Sequence, residues 1–178
     1  MSWSMEQRAR LVIEKGYLDQ HFPALRWYDP TDSRRTRLEG PVRTNSGRTY
    51  RLTILVRPTF PATCPDMLVS DPVPLLSATG KPMTEVSANM HTLAGVDGQT
   101  KICHFRPDRW VEANTLYLVA MKGRIWLEAY EAHLRSGRPM DAFLSHMRED
   151  WTASPATPPP PDDSEEGVFL RLMRLLIG

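Results

Sequence analysis

The chain has only two cysteines, Cys64 and Cys103, among its 178 residues. Two widely separated thiols cannot build the multi-bridge framework of a small secreted domain, and there is no Cys-x-x-Cys pair of the kind a structural zinc site uses. Charge of one sign is also lacking. Twenty-two basic residues face 21 acidic ones, for a formal net charge of +1. That balance argues against a nucleic-acid surface, which carries a clear basic excess. No apolar run reaches the roughly 18 residues that a membrane-spanning helix needs. The opening, Met1-Ser2-Trp3-Ser4-Met5-Glu6-Gln7-Arg8-Ala9-Arg10, reads as the start of an amphipathic helix and not as a secretory signal. The expectation is a cytoplasmic protein with both thiols reduced, acting on neither membrane nor nucleic acid.

Proline, by contrast, is plentiful. Its 16 copies cluster in 58–82 and 155–161, which marks an irregular middle and a linker. The length allows one domain with a proper core plus an appendage. Three regions are expected: a domain over 1–151, a Pro-rich acidic linker over 152–167, and a short amphipathic segment over 168–178.

The pattern within the domain predicts an α+β fold. Ser4 and Gln7 fit a capping box opening a helix over 4–16, with Met5, Ala9, Val12 and Ile13 at helical spacing and Gly16 as its stop. Arg8, Arg10 and Lys15 lie off that stripe. They make either a solvated face or a docking face for an acidic partner. A four-stranded antiparallel meander follows: a short strand around Leu25 and Trp27, runs 36–44 and 48–57 joined by Asn45-Ser46-Gly47, and a fourth strand near 67–70. Between Pro72 and Asn89 no regular element is expected. Residues 113–136 give the clearest helix, with Asn114 as N-cap, the stripe Leu116, Val119, Gly123, Trp126, Tyr130 and Leu134, and Gly137 and Pro139 as its end. A further short helix is predicted from Pro139 to about Trp151, with Phe143, Leu144 and Met147 inward. In the last segment Phe169, Leu172, Met173 and Leu176 share a face that needs its own domain, a partner or a lipid surface to dock on.

The chemistry gathers in 91–110. Cys103 lies there between Ile102 and His104, with Lys101 one place before and His91 upstream across a glycine-containing loop. Nearby cations favour a thiolate over a thiol, so Lys101 and His104 are read as activating neighbours. The bland alternative is a small buried hydrophobe, which also suits Cys64 among its prolines. A zinc site is poorly served, because Cys103 and His104 are adjacent and adjacent side chains of an extended segment point to opposite faces. A Cys-His hydrolase, with His91 or His104 as base and Asp97 or Asp108 orienting it, has no protease-like local signature in support. No metal and no cofactor are expected.

The order of parts then carries a resemblance. A helix, a meander, the segment Pro58-Thr59-Phe60-Pro61-Ala62-Thr63-Cys64-Pro65, a histidine, the approach from Gly98 to Cys103, and Trp110-Val111-Glu112-Ala113-Asn114-Thr115-Leu116 leading into a long helix follow one another. Over roughly 4–150 this resembles the ubiquitin-conjugating enzyme family. It departs from the family where His-Pro-Asn is usual: the matching place reads His91-Thr92-Leu93, and the loop to the cysteine is slightly longer. With Trp126-Leu127-Glu128-Ala129-Tyr130, these departures are similar to those of bacterial relatives found in anti-phage defence operons.

The resemblance implies a ubiquitin-conjugating-like fold and a cysteine-dependent acyl transferase. Cys103 would take the C-terminus of a partner protein as a thioester and pass it to an amine. The implied partner is a cGAS-like nucleotidyltransferase or, alternatively, a dedicated ubiquitin-like protein, with an activating enzyme. His91 is the loop residue matching the family motif, as support for the loop or as a proton acceptor. Asn89, His91, His104 or backbone amides would replace the missing asparagine, and Asp108 would assist deprotonation. A non-catalytic binding module of the same fold is the other reading. Arg8, Arg10, Lys15, Phe169 and Leu172 are the candidate partner contacts.

Overall fold

The computed structural model describes residues 1–144. The chain divides into two units, Met1–Ser145 and His146–Gly178, and the description is of the first. The expected boundaries at 151 and 167, the linker, the segment 168–178 with Phe169 and Leu172, and the distal part of the last helix lie outside the described residues.

Helix α1 (Met5–His21) opens on the expected capping box, in which the Ser4 hydroxyl accepts from Gln7 N–H and the Gln7 side chain accepts from Ser4 N–H. It runs past Gly16 to His21, so Gly16 is an interior position and not a stop. Its inward face also differs from expectation. Leu11, Glu14 and Leu18 are buried, whereas Met5 is 78% and Val12 72% exposed, with Ile13 and Tyr17 exposed as well. The reason is Glu14. A carboxylate counts as polar in any periodicity, yet this one is buried because a specific partner awaits it on the second long helix.

Strands β1 (Arg26–Tyr28), β2 (Arg37–Arg43), β3 (Thr49–Leu55) and β4 (Asp66–Asp71) form the predicted meander. Two more strands follow, β5 (Thr92–Val96) and β6 (Gln99–Ile102), so the sheet has six antiparallel strands in the order β1-β2-β3-β4-β6-β5, not four. Their hairpin turns on Asp97 and Gly98, both at positive φ, which is the geometry that an Asp-Gly pair supplies at low steric cost. It occupies part of the stretch expected to be loop. Between β4 and β5 there is no helix or strand, as predicted.

Helix α2 (Leu116–Ser136) is capped by Thr115, whose hydroxyl accepts from Leu118 N–H; Asn114 instead precedes the cap. Gly137 ends it in the left-handed region. The stripe Leu116, Val119, Gly123, Trp126 and Tyr130 is buried. Gly123 sits where any Cβ would meet Met67 of β4 and Leu52 of β3, so it marks the crossing of α2 over the sheet. Leu38, Leu52, Ile54, Met67, Val69 and Ile102 form the sheet side of this core. A short helix α3 (Asp141–Leu144) follows, with Leu144 buried.

Candidate functional site

Cys103 follows β6 directly, at the head of the connection that leads through a 3-10 turn (Pro107–Arg109) to α2. It is a free, half-buried thiol. Its backbone is fixed first. Cys103 N–H donates to the His91 carbonyl at 2.9 Å, and the same oxygen accepts from the Trp126 indole N–H at 3.0 Å. One carbonyl therefore ties the cysteine loop to α2. His91 reaches this position with φ at +50°, a conformation in which histidine is over-represented among non-glycine residues. Its ring lies 3.1 Å from Asp141 of α3, and Asp141 N–H donates to the Asn89 carbonyl. Histidine 91 is thus held at both ends, and Asp141 is a site residue that no motif pointed to.

The outer wall is aromatic. Phe105 meets His104 and Trp110 edge-on, at ring centroid distances of 5.6 and 5.1 Å. The Trp110 indole donates to the Pro61 carbonyl at 2.8 Å, which fastens the proline-rich segment to the cysteine loop. The Cys103 thiol lies 4.0 Å from the Phe105 carbonyl.

The expected activating neighbours serve other partners. Lys101 pairs with Asp66 at 3.0 Å. His104 turns toward Cys64, its Nε2 lying 3.5 Å from Sγ, as the alternation of an extended segment requires. His104 Nδ1 lies 3.3 Å from the Ile102 carbonyl; a carbonyl only accepts, so Nδ1 carries the proton and Nε2 is left as acceptor. Burial pushes its pKa down to about 4, so the ring is neutral at ordinary pH. Burial, reinforced by Asp66, pushes Cys64 up to about 12, and the same cause raises Cys103. Among the described residues, Lys122 of α2 is the one cation that lowers both thiols. Sequence reasoning missed it. The available signal is a lone charge among the buried Val119, Ala120, Met121 and Gly123.

The remaining candidates do not converge on the thiol. Asp108 is exposed and forms a two-point pair with Arg106, which holds its carboxyl below the usual range and makes it a weak base. Asn89 is exposed and contributes its backbone carbonyl. Arg10 is used internally, bonding Glu14 and the carbonyls of Glu112 and Asn114. Lys15 pairs with Asp19, and Arg8 is exposed. Among the described residues no group of three or more His, Cys, Asp or Glu side chains fits a metal ion, and no helix is long and apolar enough to cross a membrane.

The neutral state of His104 has a measurable consequence. Its folded pKa of about 4 lies below the ordinary histidine value of 6.5, so between these the unfolded chain binds more protons. Stability is therefore full above about pH 6.5 and falls as the pH drops toward 4. Allowing for partial exposure, the loss is about 2 kcal/mol. Urea unfolding across that window is expected to show this loss in the wild type and to lack it in His104→Gln; parallel profiles would contradict the assignment.

No protein-family model, curated protein or solved structure matches the chain.

Proposed function

We propose that the protein is a ubiquitin-conjugating-like acyl transferase working through a Cys103 thioester. The fold is then of the ubiquitin-conjugating type, with the β5–β6 hairpin occupying part of the longer loop that approaches the cysteine. The observation that carries this reading is the setting of Cys103: a half-buried thiol just past β6, with its amide fixed by His91 and its loop closed by Trp110 against the proline-rich segment. A cysteine serving only as core filler would not need its loop anchored on both sides.

In the first step the Cys103 thiolate attacks the activated C-terminal carbonyl of a partner protein. The new C–S bond replaces the bond to the donor's thiolate or adenylate, which leaves. In the second step an amine attacks the thioester carbonyl, a C–N bond forms, and Cys103 departs as thiolate while the amine releases its proton to solvent. Because the thiolate is a good leaving group, positioning supplies much of what the second step requires. His91 contributes by holding the Cys103 amide with its carbonyl. The partner we favour is a cGAS-like nucleotidyltransferase in bacterial anti-phage defence. A dedicated ubiquitin-like protein with its activating enzyme is the alternative donor.

The test incubates the full chain with ATP, a candidate activating enzyme and each donor, followed by non-reducing gels and mass spectrometry. A reductant-sensitive adduct is expected on the wild type. Cys103→Ser should convert it to a reductant-resistant ester, and Cys103→Ala should abolish it. An adduct that survives in Cys103→Ala sinks the reading, and binding of a donor with no adduct on the wild type leaves the binding-module alternative.

A further inference from the structure

Residues 87–92 close on themselves. Ser87 and Thr92 exchange N–H···O bonds at 3.1 and 3.0 Å, and His91 N–H donates to the Ala88 carbonyl at 3.2 Å. The Thr92 hydroxyl adds a bond to the Glu85 carbonyl at 2.7 Å. His91 therefore spends its amide inside this turn and has two groups left to offer outside it, its carbonyl and its ring. The carbonyl takes Cys103 N–H and the Trp126 indole N–H. Thr92 N–H, on the far side of the same peptide, is held by Ser87, so whatever seats the turn sets where that carbonyl points. Strand β5 seats it on one side, through the pairing of Thr92 with Ile102. Asp141 seats it on the other, at two points. Its N–H donates to the Asn89 carbonyl at 2.9 Å, and a carboxylate oxygen lies 3.1 Å from His91 Nε2. A carboxylate only accepts, so Nε2 carries the proton. Asp141 stands on a firm base, because Met140 before it and Leu144 after it are buried. Its own side chain is 40% exposed, so it serves the turn and not the core.

We infer that Asp141 is a positioning residue for Cys103: it acts through His91, by seating the 87–92 turn so that the His91 carbonyl receives the Cys103 amide. The links run from the α3 carboxylate to the His91 ring at 3.1 Å, and from the His91 carbonyl to the first peptide of the cysteine loop at 2.9 Å. His91 makes this transfer at positive φ, a conformation that costs free energy and persists where its surroundings hold it. With the ring released, that residue is free to relax, and its carbonyl moves with it. Cys103 then loses the acceptor that fixes its amide, and the sulfur loses a fixed starting point. The use of that placement in transfer rests on the acyl-transfer reading; the placement itself does not.

The test reads both ends of these contacts by NMR on the full-length chain. Long-range proton–nitrogen spectra should show the His91 proton on Nε2 in the wild type and a mixture of ring forms in Asp141→Ala. In the same variant the Cys103 amide should exchange with solvent about tenfold faster. Asp141→Asn, whose side-chain oxygen still accepts, should restore most of that protection. Phe143→Ala is the control on the same helix: it removes the ring beside Arg138, leaves Asp141 in place, and should keep Cys103 protected. Circular dichroism checks the fold. If Asp141→Ala fails to fold, His91→Asn carries the comparison, since asparagine tolerates positive φ and gives up the ring. Exchange at Cys103 that stays at the wild-type rate in Asp141→Ala would overturn the inference. So would an equal rise in Phe143→Ala, because packing of α3 would then be the cause. Where the Cys103 adduct forms, its discharge to free lysine should slow about tenfold or more in Asp141→Ala and recover in Asp141→Asn, and unchanged discharge would overturn the inference too. No adduct on the wild type sinks the acyl-transfer reading, while the exchange rates still decide the role of Asp141.

Discussion

Glu14→Ala is expected to destabilise the domain by about 3 to 5 kcal/mol, the range for removing one partner of a buried charged pair. Glu14 is fully buried. One carboxylate oxygen accepts from Arg10 at 2.7 Å and the other from Leu116 N–H at 2.7 Å. Leu116 is the first residue of α2 and is itself buried, so its amide has no water to turn to. The carboxylate also faces the positive end of the α2 dipole. Loss of the side chain leaves that amide and the Arg10 guanidinium short of a partner together. Glu14→Gln can still accept from Leu116 and should cost less, about 1 to 2 kcal/mol. Equilibrium urea unfolding checks both. An alanine variant within about 0.5 kcal/mol of wild type would remove Glu14 from the account.

The second large effect is expected at Gly40→Ala. A Cβ there would lie 2.2 Å from the Ala24 carbonyl oxygen, 2.8 Å from its carbon and 2.9 Å from Leu25 Cα. All are backbone atoms, and Leu25 is buried, so no flexible side chain can yield. The segment entering β1 must move off β2, at about 3 kcal/mol or more. Gly16→Ala makes the matched control. It has open space around its Cβ and lies inside α1, so it should stabilise by up to about 1 kcal/mol. If both alanines behave alike, the close approach of β2 to the 24–25 backbone is not what constrains Gly40.

The long helix, the capping box and the first four strands were legible because each rests on local chemistry: a stripe at helical spacing, a Ser and Gln three apart, an Asn-Ser-Gly turn. The β5–β6 hairpin was harder. Its turn pair, Asp97-Gly98, is plain enough, but the flanking strands are short, and Thr92, Thr100 and Ile102 are their only buried positions. The inward face of α1 was misassigned because Glu14 is buried for a partner far along the chain, while Met5 and Val12 remain outside. The electrostatics around Cys103 were hidden in the same way. Lys101 and His104 are visible beside Cys103 but are engaged by Asp66 and Cys64. Lys122 and Asp141 reach the site only once α2 and α3 have packed. Sequence adjacency is a poor guide to electrostatic adjacency wherever a strand alternates its faces.

The shared carbonyl of His91 also bears on how the protein comes into being. Its two donors, Cys103 and Trp126, lie on opposite sides of the connection to α2, and the His91 ring waits for Asp141 beyond that helix. As the chain leaves the ribosome, Cys103 therefore emerges just after the last strand of the sheet, before helix α2 exists to cover it. It acquires its surroundings only when the last helices have been synthesised and have docked. A truncated product ending before α2 would carry the thiol without the Trp126 and Asp141 contacts that hold His91.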